Sequence, residues 1–306
     1  MTRRALQILK AAVPLLLAYF VGRMIYANWE QVRSEDWTFN PGWLCASVAL
    51  GAAWHLVRPL GWTRLLGGLK HRLPYWEVFL IYRKSELSRY VPGGVWQFAA
   101  RVYLVRRFGV SAAACLAATL LDLTLAALAA LVPAAWLART ASDSLSGWQM
   151  GALLAFPVLA LGVVHPKVFN AWARRLASLI GQPIPRLEVR ARQMAALWAM
   201  YVGTWVLLAA AMACFARGLL PSVDGERFVH VAASYPLAWV TALLTMVAPA
   251  GVGVREGILG LLLANSMTVG TAMALAVAMR LWAVGTELAW LATGLLVARA
   301  QGHAQT

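Results

Sequence analysis

The sequence predicts an all-α polytopic membrane protein with about six transmembrane helices and two re-entrant helical hairpins in an inverted repeat. First, 61% of its 306 residues are hydrophobic and only 13% are charged, whereas a soluble domain carries about 25% charged residues. Second, apolar segments of spanning length alternate with short charged ones. Third, two breaks rich in Pro and Gly interrupt the apolar regions at matching positions in the two halves.

The long apolar segments predict single spans, because a bilayer-crossing helix needs about 20 mostly apolar residues. These spans are expected at about 8–28, 43–63, 112–138, 148–165, 194–216 and 272–297. Arg3, Arg4 and Lys10 precede the apolar run 11–21 as in a signal peptide, but no clear small-residue cleavage site follows. We therefore expect the first helix to be retained, and residues 1–306 to form a single transmembrane domain.

The distribution of charge predicts the topology. Segments 64–107 and 166–192 carry nine and six Lys/Arg respectively, and short basic loops stay in the cytoplasm. The acidic segment 29–42 is then external. The loops alternate consistently between inside and outside only if 75–110 enters and leaves the membrane from the cytoplasmic side. Segment 228–265 must likewise enter and leave from the outside. This arrangement places both termini inside, in the cytoplasmic (inner) membrane.

The first break is Arg89-Tyr-Val-Pro-Gly-Gly-Val-Trp-Gln-Phe-Ala-Ala-Arg101. Pro92 lacks a backbone donor, and Gly93 and Gly94 permit conformations that other residues avoid. One interpretation is a helix break that allows close packing. The other is a substrate site, in which free backbone N–H groups face an anionic headgroup and Arg89 and Arg101 bind its phosphate. The Trp96 indole and Gln97 amide lie on the same segment as further candidate contacts.

The second break, Ala248-Pro-Ala-Gly-Val-Gly-Val-Arg-Glu256, echoes the first. Pro249, Gly251 and Gly253 supply the irregular backbone, and Arg255 and Glu256 follow directly. These two charges either neutralise each other or leave Arg255 to bind substrate while Glu256 holds it. Broken segments in two inverted halves, here about 75–138 and 228–297, indicate a binding site at the membrane midplane.

The ionisable residues Asp122, Arg280 and Glu287 fall within predicted spans. Each costs about 2.5–3.5 kcal/mol if unpaired there, so each is expected to pair or to face water. Asp122 lies 30 residues after Pro92, and Arg280 lies 31 after Pro249. We expect Asp122 to approach Arg280, and Glu287 to share a helix face with Arg280. A structural ion pair and a gate or proton-coupled site are both open interpretations.

The two motifs resemble those of the flippase-like family named for the membrane region of lysylphosphatidylglycerol synthase. The resemblance rests on Pro-Gly-Gly-Val-Trp with a following Arg and Gly-Val-Ser, on Pro-Ala-Gly-Val-Gly-Val-Arg-Glu-Gly, and on a later Arg-Leu. It implies a polytopic inner-membrane protein that moves a lipid between leaflets. Members often carry an Arg beside the first acid, but here Leu123 follows Asp122, so its partner is expected elsewhere. Without the soluble synthase domain, lysyl transfer is not expected.

The leading functional hypothesis is a lipid translocase, or a component of one, for an amphiphile with an anionic or sugar-bearing headgroup. Alternatives are a non-transporting scaffold or regulator of lipid or glycolipid biosynthesis proteins, and a membrane-embedded transferase. The transferase is disfavoured because the Asp-x-Asp pattern does not occur in the sequence. We expect no enzymatic activity, no cofactor and no metal site, and no binding to nucleic acid despite the net charge of +15.

Overall fold

The computed structural model describes residue 19 and residues 22–90, 95–140, 162, 165–180, 186–245 and 253–300. Every regular element in these ranges is helical. Short 3₁₀ turns at Ser88–Tyr90 and Arg106–Phe108 follow the third and fourth helices directly. The α-helices are α1 (Trp29–Ser34), α2 (Pro41–Gly68), α3 (Tyr75–Leu87), α4 (Trp96–Val105), α5 (Ala112–Thr140), α6 (Pro166–Ile180), α7 (Ala191–Leu219), α8 (Gly225–Thr245), α9 (Val254–Leu263) and α10 (Val269–Ala300).

Three helices within the described ranges are long and apolar enough to cross a membrane. They are Ala112–Ala135 in α5, Ala191–Leu219 in α7 and Val269–Arg299 in α10. Each coincides with a predicted span. Helix α2 covers the predicted span 43–63 and extends it at both ends. The predicted spans 8–28 and 148–165 lie largely outside the described residues.

Helices α2 and α7 form the most extensive packing in the described part of the molecule. Small residues permit this close approach. A Cβ on Gly61 would overlap the Tyr201 ring, and a Cβ on Gly218 would overlap Leu44. The Ser47 hydroxyl donates a hydrogen bond of 2.7 Å to the Ala211 carbonyl across the same interface. These two helices therefore form a closely packed pair against which other helices lie.

Two pairs of shorter helices match the two predicted hairpins. Helix α3 packs on α4, and α8 packs on α9. Each pair precedes a long helix, α5 or α10, that packs against it. The predicted helical content of both hairpins is therefore confirmed. Their re-entrant insertion and their inverted relationship stay predictions, and the breaks at 91–94 and 246–252 lie outside the described residues.

Glycines in the left-handed region set the start of two helices. Gly109, with φ of 72°, ends the 3₁₀ turn before α5, and the Ser111 hydroxyl then accepts a hydrogen bond of 3.2 Å from the Ala114 N–H. Gly253, with φ of 81°, precedes α9. Residues with a Cβ rarely adopt such angles. The glycines of both sequence motifs are therefore structural requirements at these two positions.

Candidate functional site

A cavity of about 280 Å³ lies among helices α2 to α5 and α7 to α10. Arg89 and Arg101 of the first motif face the same space as Arg255 of the second. The two motifs, more than 150 residues apart in the sequence, therefore build one site. Among the described residues, the charged side chains on its wall are Arg58, Arg89, Arg101, Arg255, Arg280, Glu86, Asp122 and Glu287.

Asp122, on α5, is the most fully bonded acid of the wall, with 3% of its surface exposed. Arg58 grips it with two parallel hydrogen bonds, Nη1 to Oδ1 at 2.7 Å and Nη2 to Oδ2 at 3.1 Å. The Tyr201 hydroxyl donates to Oδ1, and the Tyr82 hydroxyl donates to Oδ2 at 3.3 Å. Arg101 Nη1 lies 3.9 Å from Oδ2. Paired geometry of this kind offsets much of the desolvation of the two charges.

A chain of alternating charges runs from α4 to α10. Arg101 Nη2 donates to Glu86 Oε1 at 3.3 Å, and Arg89 Nη1 donates to Glu86 Oε2 at 2.7 Å. Arg89 Nη2 also donates to Glu287 Oε1, and the Tyr90 hydroxyl donates to Glu287 Oε2 at 2.8 Å. Hydrogen bonds therefore connect the first motif to α10, and the side chains that form them lie at the cavity or beside it.

The second motif forms a separate cluster of charges. Glu256 Oε2 accepts a hydrogen bond of 2.6 Å from the Gly253 N–H at the start of α9. Its other oxygen lies 3.3 Å from Arg280 Nε and 4.0 Å from Arg255 Nε. Arg255 Nη2 donates to the Tyr235 hydroxyl at 2.9 Å. The Glu256 carboxylate, which accepts a backbone hydrogen bond, is therefore the shared ion-pair partner of Arg255 and Arg280.

Arg83 is a buried cation beside the cavity, with 2% of its surface exposed. Its Nη1 lies 2.8 Å from His55 Nδ1, while its Nε and Nη2 have no hydrogen-bond partner among the described residues. Its guanidinium also lies over the rings of Trp54, Phe79 and Tyr82 at 5.3–5.7 Å. Aromatic faces therefore surround this charge, and the described residues form no ion pair with it.

The remaining wall of the cavity is largely aromatic. Trp205 and Trp239 lie with ring centroids 5.0 Å apart, and the Trp205 indole donates a hydrogen bond of 2.7 Å to the Ala126 carbonyl. Trp54 and Trp282 line the same space. Both charged and aromatic side chains therefore line the cavity.

The structure brings most of the predicted site residues together. Glu256 joins the wall through its ion pair with Arg280, and Gly253 forms the turn before α9. Trp96 instead lies 48% exposed, on a separate surface groove formed with Ser88, Ala99, Ala100 and Tyr103. Pro92, Gly93, Gly94, Pro249 and Gly251 lie outside the described residues. The predicted residues on the wall are Arg89, Gln97, Arg101, Asp122, Arg255, Arg280 and Glu287.

The pairing of these charges differs from the expected one. Asp122 and Arg280 line the same cavity, but Asp122 pairs with Arg58 and Arg280 with Glu256. Glu287 pairs with Arg89. The reason is that α2 brings Arg58 directly opposite Asp122, which is the partner from elsewhere that Asp122 needed.

Sequence reasoning missed several residues of the site. Arg58 had an available signal, because it lies inside the predicted span 43–63 and carries the same burial cost as Asp122. Glu86 lies in a segment that alternates apolar with charged residues before the first break, so its charge did not distinguish it from its neighbours. The tyrosines that donate to the acids carried no signal in the sequence. They are Tyr82, Tyr90 and Tyr201.

The chemistry of the wall is that of an anion-binding surface. Each of its carboxylates is engaged by at least one arginine in the described part of the chain. Those same ranges contain no group of three or more His, Cys, Asp or Glu that could hold a metal ion. Guanidinium groups bind phosphate through charge-assisted and often bidentate hydrogen bonds. The cavity therefore offers phosphate donors next to aromatic surface.

Comparison with known protein families gives a match. The sequence model of the family described as "Lysylphosphatidylglycerol synthase TM region" matches residues 7–289. The match includes both motifs and every charged residue of the cavity wall. No curated protein matches the chain.

Proposed function

We propose that this chain, which belongs to the lysylphosphatidylglycerol synthase transmembrane-region family, is a translocase for a lipid with an anionic headgroup. The family is consistent with a lipid-related role in a membrane. Translocation is our inference from the cavity. In this proposal the headgroup crosses the membrane along the charged wall while the tails remain in lipid.

The observation that carries the proposal is the set of arginines inside the helical body. Arg58, Arg101 and Arg255 each have less than 10% of their surface exposed, yet all three line the cavity. Buried charge is expensive at membrane depth and is retained mainly at functional sites. If these arginines only stabilised the fold, ion pairs packed without a cavity between them would be sufficient.

The alternating ion pairs suggest how a headgroup advances. A phosphate that approaches Arg89 or Arg101 replaces Glu86 as the acceptor, and Glu86 keeps the arginine that the phosphate has not taken. Each step exchanges one charge-assisted hydrogen bond for another of similar strength. The headgroup can therefore leave each position along the wall as readily as it enters it.

The topology belongs to the same proposal. Re-entrant hairpins α3–α4 and α8–α9, inserted from opposite sides, would let the cavity open alternately to each leaflet. The basic segments 64–107 and 166–192 then face the cytoplasm, with both termini inside and the protein in the cytoplasmic membrane. Irregular backbone at the two breaks is compatible with a membrane only where it lines such a cavity.

Reconstitution tests the proposal. Purified protein in liposomes is expected to accelerate transbilayer movement of fluorescent phosphatidylglycerol, measured by chemical quenching of the outer leaflet. Arg101→Gln is expected to slow this movement about tenfold or more, since a charge-assisted hydrogen bond contributes about 1.5–3 kcal/mol. Arg106→Gln is the matched control, because Arg106 is exposed and lies outside the cavity.

Two outcomes contradict the proposal. Wild-type protein that moves lipid no faster than protein-free liposomes favours a scaffold or regulator instead. Equal rates in the Arg101→Gln and Arg106→Gln proteins would separate lipid movement from this cavity.

A further inference from the structure

The charges of the first cluster balance. Three arginines, Arg58, Arg89 and Arg101, face three carboxylates, Asp122, Glu86 and Glu287, through the described ion pairs. The two hydroxyls at Asp122 and the one at Glu287 add donors to the acids, not charge. This part of the wall has no net charge left for a ligand to neutralise.

The second cluster does not balance. Arg255 and Arg280 share one acid, Glu256, and the backbone N–H of Gly253 holds that acid in place. Arg280 Nη2 is buried and has no hydrogen-bond partner within the described ranges. Arg255 directs one donor to the neutral hydroxyl of Tyr235. This side of the cavity therefore carries one uncompensated positive charge and one unused donor.

Arg83 is a second buried arginine with donors that have no hydrogen-bond partner among the described residues. It differs from Arg280 in position, because it does not line the cavity. His55 and the surrounding aromatic rings lie around its guanidinium. A ligand in the cavity therefore meets the excess charge at Arg255 and Arg280.

We propose that Arg255 and Arg280 form the phosphate subsite of the cavity, and that this subsite selects a phosphodiester carrying a single negative charge. The inference rests on the proposed function and names its substrate class. A phosphodiester neutralises the one excess charge, whereas a phosphomonoester carries about −1.5 to −2 near pH 7 and overcompensates it. A zwitterionic headgroup brings no net charge and leaves the excess in place.

Equilibrium binding tests the subsite without requiring transport. Purified protein in detergent micelles is titrated with phosphatidylglycerol, phosphatidic acid and phosphatidylcholine of identical acyl chains, and bound lipid is counted by native mass spectrometry. Wild-type protein is expected to bind phosphatidylglycerol most tightly. Arg280→Gln is expected to weaken that binding about tenfold or more and to bring it to the level of phosphatidylcholine.

A second variant tests the charge balance itself. Glu256→Gln keeps an oxygen for the Gly253 N–H but removes one negative charge. The excess positive charge then rises from one to two, so the preference is expected to move towards phosphatidic acid. Glu226→Gln and Arg106→Gln are the matched controls, because both residues are exposed and lie outside the cavity. Inorganic phosphate as competitor distinguishes a lipid site from a site for the free anion.

The subsite is overturned by equal wild-type affinity for the three lipids, by unchanged affinity in Arg280→Gln, or by no change of preference in Glu256→Gln. Displacement of phosphatidylglycerol by millimolar inorganic phosphate assigns the site to the free anion and also overturns it. Selective binding without transport supports the subsite and contradicts translocation. Transport without selective binding does the reverse.

Discussion

Two buried arginines near the cavity have opposite electrostatic surroundings. Arg58 grips the Asp122 carboxylate with two hydrogen bonds. Arg83 has aromatic rings around it, and its Nη1 lies 2.8 Å from His55 Nδ1. Replacing one partner of a buried ion pair leaves an uncompensated charge beside it, whereas replacing a buried charge that forms no close ion pair does not. The same substitution is therefore expected to act differently at the two positions.

Arg58→Met is expected to lower the free energy of unfolding by about 3–5 kcal/mol, because Asp122 stays buried without its main cation. Unfolding is followed by circular dichroism in detergent with added denaturant. The double variant Arg58→Met/Asp122→Asn is the control and is expected to recover a large part of the loss. A double variant as unstable as the sum of its single variants would contradict the pairing.

Arg83→Met is expected to change the free energy of unfolding by less than about 1 kcal/mol, or to raise it. Methionine keeps the unbranched stem among the rings and removes a buried charge that forms no ion pair with the described residues. The measurement is the same as for Arg58→Met, so the two variants are directly comparable. A loss as large as that of Arg58→Met would indicate that Arg83 has an essential role which the contacts around it do not explain.

At the residue scale, the sequence predicted which charges matter better than how they pair. Asp122, Arg280 and Glu287 were identifiable because an ionisable side chain in an apolar span needs a reason to be there. Their partners were not identifiable, since Arg58 reaches Asp122 only through the packing of α2 on α5. Spacing along one chain carries no information about which neighbouring helix faces it.

At the element scale, apolar length predicted the long helices, and the Pro/Gly breaks marked the shorter ones. Helices α5, α7 and α10 follow from hydropathy alone. The order of packing does not, because it depends on where small residues let two helices approach. Gly61 illustrates this point, as its missing side chain admits the Tyr201 ring that bonds to Asp122.

Gly61→Ala is expected to destabilise the protein by about 1–3 kcal/mol, because the added methyl group displaces Tyr201 and opens its hydrogen bond to Asp122. Gly203→Ala, on α7 near Tyr201, is the matched control. A Cβ at Gly203 meets open space, so this variant is expected to be neutral or to gain up to about 1 kcal/mol from helix propensity. Thermal unfolding measures both, and equal effects would contradict the described α2–α7 contact.

At the scale of the whole molecule, the two motifs are informative because they meet. The sequence predicted one site from two distant segments, and the structure gathers their charged residues around one cavity. The split of that cavity into a balanced and an unbalanced cluster needs three-dimensional contacts, because it depends on Gly253 holding Glu256. The distribution of charge along the sequence does not show that the uncompensated positive charge lies at Arg255 and Arg280.

The central claim is that a lipid headgroup passes through this cavity, and filling the cavity tests it most directly. Ala283 lines the space on α10 with 8% of its surface exposed, and Ala283→Phe puts a ring there while leaving every arginine unchanged. Ala289→Phe, on the exposed surface of the same helix, is the matched control. Only variants whose unfolding temperatures equal that of the wild type are compared. If Ala283→Phe is less stable, the smaller replacement Ala283→Leu is used in its place.

The measurement is the initial rate of phosphatidylglycerol movement across the membrane of proteoliposomes. The account predicts a rate at least about tenfold lower for Ala283→Phe than for Ala289→Phe, which is equivalent to about 1.4 kcal/mol in the barrier. Equal rates in these two proteins, both moving lipid as fast as the wild type, would contradict passage of the headgroup through the cavity.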